Sequence, residues 1–235
     1  MGSAPVVDLI KMMISPIISC TIVLGIGYEA TLGRPWGCAC EAGTFGVPIA
    51  MADITQLILD DHETFRREFA ALDDAGEPEQ LRAIWEPLAA LLDVHAVAEE
   101  AIFYPQLLRR GDNAEDETVD AIGDHNDIRH RVHEAARHPI GSPQWWEAVR
   151  KARSANSDHM AEEEDDALSD FRRNAPLSVR EDLGHQFLKF KADHADARDL
   201  DTSDKDPQEY VSAVQAQISP GADSGSLGIG SLKER

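Results

Sequence analysis

From residue 51 onward the chain contains no cysteine, because Cys20, Cys38 and Cys40 all lie in the first 50 residues. A disulfide scaffold is thereby excluded for the body of the protein, and cysteine usage fits a cytoplasmic location. Cys38-Ala-Cys40 has no second ligand pair beside it and is not read as a metal site. Positive charge is also scarce: 22 Lys and Arg face 43 Asp and Glu, a net charge of −21. Such a surface repels a phosphate backbone, so nucleic acid is not expected as a partner. Strand-period alternation of useful length is missing too, which makes the expected class all-α. Only one apolar run, Leu9 to Gly27, approaches bilayer thickness. It contains Lys11 and Pro16 and lacks a basic leading region, so a membrane partner is not expected either. Composition changes abruptly at Met51, and residues 1–50 are expected to be a disordered or non-native extension, with an apolar helix over 9–27 as the alternative.

Helical periodicity begins just after Met51. Asp53 is placed to cap a first helix, with Gln56 set to reach back to it. Ile54, Leu57, Ile58, Phe65, Phe69 and Leu72 form its apolar stripe, and His62 sits inside that stripe. Pro78 starts a second helix whose stripe runs from Leu81 to Phe103 through His95 and Glu99; Pro87 is expected to kink or restart it. A third helix follows Arg110-Gly111-Asp112-Asn113 and carries Val119, Ile122, His125, Ile128 and Val132 on one face. Pro139, Gly141 and Pro143 separate it from a fourth with Trp146, Val149, Ala152, His159, Glu163 and Ala167, ending at Asn174-Ala175-Pro176. The expected division is an extension over 1–50, a helical domain over 51–173, an accessory helix over 174–200 and a disordered tail over 201–235.

A pattern occurs twice along these helices. His62 is followed on the next helix by His95, with Glu99 one turn further on. His125 is followed on the next helix by His159, with Glu163 one turn further on. Member by member, the second set repeats the first at a nearly constant offset along the chain. Repetition of this kind reads as two helix pairs related by a pseudo-two-fold axis. The i,i+4 spacing stacks each histidine over its glutamate on one face, a ready chelating pair. A lone histidine on an apolar face is usually a hydrogen-bonded core residue. An inward carboxylate, however, is costly to bury without a partner or cation, and here two occur at matched positions. The six candidate metal ligands are therefore His62, His95, Glu99, His125, His159 and Glu163. Mixed imidazole and carboxylate donors in a bundle favour iron or manganese, with zinc possible. Glu100, Glu162 and Glu164 are candidates for outer contacts or a solvated face, Tyr104 for packing, His130, His133 and His138 for solvent-side positions, and His194 for the stripe of a fifth helix with Leu183, Phe187 and Phe190.

Over roughly Ile54 to Phe171 the chain resembles the hemerythrin-like HHE cation-binding proteins. The resemblance rests on Asp60-Asp61-His62-Glu63, His95-Ala-Val-Ala-Glu99-Glu100 with Phe103-Tyr104-Pro105, Asp124-His125-Asn126, and His159-Met-Ala-Glu-Glu163. It implies an up-down four-helix bundle, here with an additional C-terminal helix, holding two iron ions joined by an oxide or hydroxide and by glutamates. It differs from oxygen-carrying hemerythrins in having Arg129 where they place a further histidine, and in its i,i+4 glutamate after His159, with Glu164 in the i,i+5 slot. The implied function is binding or turnover of oxygen, peroxide or nitric oxide. The alternatives are an iron sensor or store without turnover, an iron–sulfur repair protein, or a structural zinc-bound bundle; the oligomeric state is open.

Overall fold

The computed structural model describes residues 52–218. The predicted extension, its 9–27 apolar segment and Cys38/Cys40 lie outside the described residues, as do 219–235. The order is α1 (Ile54–Asp74), α2 (Pro78–Ala98), a π-helical turn (Glu99–Phe103), α3 (Tyr104–Arg110), α4 (Ala114–Ala136), α5 (Pro143–Asp165), α6 (Ala167–Asn174), α7 (Leu177–Asp193) and α8 (Pro207–Ile218). Among the described residues there is no strand, so the all-α class holds. None of their helices is long and apolar enough to cross a membrane.

Two apolar layers set the topology. One gathers Ile54, Ile58, Phe103, Tyr104, Leu107, Ile122, Leu168 and Phe171. The other gathers Phe65, Phe69, Leu72, Trp85, Leu88, Leu92, Ile128, Val132, Trp145 and Val149. Helices α1 and α4 run from the first layer to the second; α2 and α5 run back. The four long helices thus alternate up and down. His62, His95, Glu99, His125, His159 and Glu163 all fall between the layers.

Local signals explain most boundaries. The Asp53 side chain accepts from the Thr55 amide at 3.0 Å and caps α1. Gln56 does not reach back to it; its amide donates to Asp60 instead. Ser142 caps α5 with Pro143 in the first turn. The start of α4 is capped from a distance, the Asp170 carboxylate accepting from the Asp112 amide at 2.6 Å.

Three expectations need correction. Helix α2 is not restarted at Pro87; regularity is lost instead after Ala98, in the π turn. Pro105 supplies a reason: it has no N–H to bond the carbonyl of Ala101, and its ring crowds that carbonyl. A wider turn, closed by the Tyr104 amide on the Glu99 carbonyl, relieves the conflict. The fourth long helix ends at Asp165, and α6 follows after a break at Asp166 (φ −106°, ψ −80°). Residues 207–218, expected to be disordered, form α8 with Val211 and Val214 buried. The polar residues on either side conceal a short helix whose Val211 and Val214 share one face, and Tyr210 and Lys205 tie the segment to the bundle.

Helix α7 lies against α1, α2 and the π turn. Its Gly184 faces the backbone of Ala52 so closely that a Cβ would lie 1.4 Å from that carbonyl oxygen. Gly184→Ala should therefore push α7 off the bundle and destabilise it by about 1–3 kcal/mol or more. Urea unfolding of the variant beside the parent measures this.

Candidate metal centre

Each of the six predicted ligands is at most 4% exposed. They form two groups of donor atoms that share a member: His62, His95, Glu99 and Glu163 in one, Glu99, His125 and His159 in the other. Within each group the chosen donor atoms lie within 4.8 Å of one another. His95 Nε2 is 3.0 Å from Glu99 Oε1, and His125 Nε2 is 3.3 Å from Glu99 Oε2, so one carboxylate spans both groups. His62 Nε2 lies 3.3 Å from Glu163 Oε2, whereas His159 Nε2 lies 4.0 Å from it. These approaches do not satisfy hydrogen-bonding geometry: His62 Nε2, His95 Nε2, both oxygens of Glu99 and Glu163 Oε2 are buried with no hydrogen-bond partner among the described residues. Buried lone pairs crowded together in this way form a donor set that a cation would satisfy.

Every ring is turned inward by a carboxylate on its other nitrogen. His62 Nδ1 meets Glu164 at 2.9 Å, His95 Nδ1 meets Asp61 at 3.1 Å, His125 Nδ1 meets Glu100 at 3.0 Å, and His159 Nδ1 meets Asp124 at 3.5 Å. A carboxylate there favours the N–H on Nδ1 and leaves Nε2 turned toward the cluster as a possible donor atom. These four acceptors obey the sequence repeat: Asp61 precedes His62 as Asp124 precedes His125, and Glu100 follows Glu99 as Glu164 follows Glu163. Arg66 and Arg129, each one turn after the first histidine of its half, complete it. They bond Glu164 at 2.6 Å and Glu100 at 2.5 Å respectively. Extending the repeat by one position on either side of each ligand would have found the four carboxylates. Glu100 and Glu164 are thus outer acceptors and not part of a solvated face. Arg129 is buried at 1% exposure, its guanidinium against Glu100.

The symmetry fails in informative places. Tyr104 is buried and donates to Glu163 Oε1 at 3.0 Å, and the equivalent place in the second half is taken by Leu168. Glu163 is therefore held on one oxygen while Glu99 keeps both free. Lys191 of α7 bonds Asp61, and Lys205 reaches Glu100 at 2.7 Å. Tyr210 of α8 donates to the Glu100 carbonyl at 2.5 Å, and Asn126 exchanges two hydrogen bonds with the Lys205 backbone. Asp124 alone of the four outer carboxylates has no lysine or arginine against it among the described residues. His130, His133, His138 and His194 stay outside the cluster, paired with Asp204, Asp93, Glu134 and Asp199.

Electrostatics point the same way. Burial disfavours charge on His95, yet Glu99 and Asp61 override it and push the ring up to about 10. Burial acts likewise on His125, and Glu100 and Glu99 raise it. Glu99 is held low because His95 and His125 outweigh its burial, and Glu100 falls to about 2 beside His125 and Arg129. With neutral rings, six carboxylates face only Arg66, Arg129, Lys191 and Lys205 among the described residues, leaving the cluster short of positive charge. Protons on imidazole meet that shortage when nothing else does; a metal ion meets it by replacing them.

Antiparallel helices closing on buried imidazoles and carboxylates define a helical-bundle cation-binding domain. The chain belongs to the hemerythrin HHE cation-binding domain family, which its residues 53–169 match. Among curated proteins, a DNA nickase of Nostoc sp. (strain PCC 7120 / SAG 25.82 / UTEX 2576) is 22% identical over 156 residues, covering 66% of this chain. The match takes in 44% of the relative, so the chain spans less than half of it. No solved structure gives a significant match.

The twin arginines give a direct comparison. Arg129→Met strands part of a buried Glu100 and should cost about 3–5 kcal/mol of stability. Arg66→Met removes a cation whose side chain is 44% exposed and should cost below about 1 kcal/mol. Chemical unfolding of the two variants, side by side, checks the contrast.

Proposed function

We propose that the two donor groups hold a pair of iron ions and that the protein binds or turns over oxygen, peroxide or nitric oxide. The observation that carries this reading is Glu99, whose two unpartnered buried oxygens face different pairs of imidazoles. One ion would take His62, His95, Glu99 and Glu163; the other would take Glu99, His125 and His159. Four imidazoles and two carboxylates suit iron or manganese, with zinc the non-redox alternative. Paired non-haem iron, when bound, supplies one- and two-electron chemistry toward such small molecules.

The chain's own residues do the rest. Asp61, Glu100, Asp124 and Glu164 hold the imidazoles in their ligating tautomer and raise their donor strength. The two apolar layers keep water away and lower the local dielectric. Tyr104 fixes Glu163 on the first group, so the second has one protein donor fewer and room for a small ligand. The nickase's name describes that protein; in this chain the carboxylate excess opposes a phosphate backbone and favours small partners.

Glu99 and Glu163 separate this proposal from a looser site. Parent protein should carry about two irons per chain, as in other bundle-core di-metal sites. Glu163→Ala should keep about half of that, because only one group uses it; Glu99→Ala should lose nearly all. Metal analysis of purified proteins decides, and full iron content in Glu99→Ala would refute the assignment. Steady-state peroxide consumption by the loaded parent then tests turnover.

A second reading, iron sensing without turnover, is favoured by Lys205 and Tyr210 binding Glu100. Under it, residues 200–218 should become markedly more open to amide exchange when iron is removed, with no peroxide consumed in either state. Unchanged exchange there excludes the sensor.

A further inference from the structure

The two halves of the repeat are covered differently. Beside His95, helix α7 fills the flank: Phe187 is fully buried with its ring centroid 6.2 Å from the imidazole, and Lys191 bonds Asp61. Beside the matched His159 no such helix lies among the described residues. A cavity of about 230 Å³ takes that place between α4, α5 and the start of α6, with His159 and Glu163 in its wall. Its remaining polar lining includes Asp116, Glu117, Asp120, Asp124, Glu162 and Asp166, and no lysine or arginine. At the inner end, Glu163 is 4% exposed and its Oε2 has no hydrogen-bond partner. Asp124, the outer carboxylate on this side, is the one without a lysine or arginine. Burial, with Asp170 and Asp166 nearby, pushes the Glu117 carboxyl up to about 7, so negative charge is crowded here beyond what the surroundings balance.

We propose that this cavity is the loading route by which a divalent metal ion reaches the donor groups, arriving between Asp124 and Glu163 and passing first to His159. The proposal rests on the metal-binding reading of those groups. A narrow acidic wall over a low-dielectric interior focuses its field outward, concentrating cations at the mouth and repelling anions. Among the described residues the matched flank is covered by α7, which lies beyond residues 53–169, so the two related flanks of the domain differ in access. His159 suits a first contact, because its Asp124 partner is half-exposed and can shift with it.

The test uses the full metal-free chain and cobalt(II), whose visible absorption reports ligation without any turnover. Stopped-flow mixing compares the parent, the triple variant Asp116→Asn, Asp120→Asn, Glu162→Gln, and a control, Asp74→Asn with Glu79→Gln, far from the cavity. The triple variant should bind the same final amount of cobalt about tenfold more slowly or worse, with a weaker dependence on salt; the control should match the parent. Unchanged uptake in the triple variant, or equal slowing in the control, overturns the loading route and leaves the metal centre intact. A parent chain that takes up no cobalt, iron or zinc instead defeats the metal-binding reading itself. Asp120→Lys alone, with native far-ultraviolet dichroism, should also slow uptake and guards against a folding defect in the triple variant; parent-like uptake in it overturns the route.

Discussion

Two glutamates and four histidines are buried in one layer, and nearly every other feature of the domain answers to that burial. A carboxylate withdrawn from water is strongly unfavourable unless a cation or a full set of donors meets it. Here the nearest nitrogens to Glu99 Oε1 and Glu163 Oε2, His95 Nε2 and His62 Nε2, have no hydrogen-bond partner themselves, so these buried carboxylates call for positive charge. The apolar layers above and below make the requirement stricter by lowering the dielectric. The outer carboxylates turn the rings, and the arginines and lysines hold the outer carboxylates. Each ring of residues is needed because of the one inside it.

Symmetry organises this arrangement, and departures from symmetry give it direction. The repeat pairs Asp61 with Asp124, His62 with His125, Arg66 with Arg129, His95 with His159, Glu99 with Glu163 and Glu100 with Glu164. Two equal half-sites would follow if nothing else intervened. Tyr104 has no twin, and it ties one oxygen of Glu163, which falls in one donor group, while Glu99 keeps both oxygens free and falls in both. The π turn contributes to the same end. Its wider step accompanies the burial of Glu99 and Glu100 side by side, one facing the centre and the other His125.

The residues after the family's domain add a second asymmetry. Helix α7 and the segment leading into α8 each bring a lysine to an outer carboxylate, Asp61 and Glu100. They brace three of the four histidine–carboxylate pairs together with Arg66 and Arg129, and leave the His159–Asp124 pair facing the acidic cavity. Stability and access are in this way assigned to different sides of one centre.

The class, the four long helices, the six inward residues and their pairing were legible in the chain because each rests on local periodicity. A stripe at helical spacing states which face is buried, and an i,i+4 pair states which side chains share it. The repeat carried this further, since two copies of one pattern imply two copies of one geometry. It also contained the outer carboxylates, in Asp61 beside His62 and Glu100 beside Glu99, unread because adjacent acidic residues ordinarily face water. What the chain could not disclose is whatever depends on which surfaces meet. Lys191 and Lys205 sit in polar stretches with no pattern, and α8 is a short helix set within a polar tail. Arg129 looked like a missing ligand until its contact with Glu100 showed it as the buried twin of Arg66. Only the folded arrangement settled that Glu99 is shared, that Glu163 is tied to Tyr104, and that one flank is closed and the other open. Distances across a bundle are set by helix packing and not by spacing along a helix, and there the tertiary structure decides.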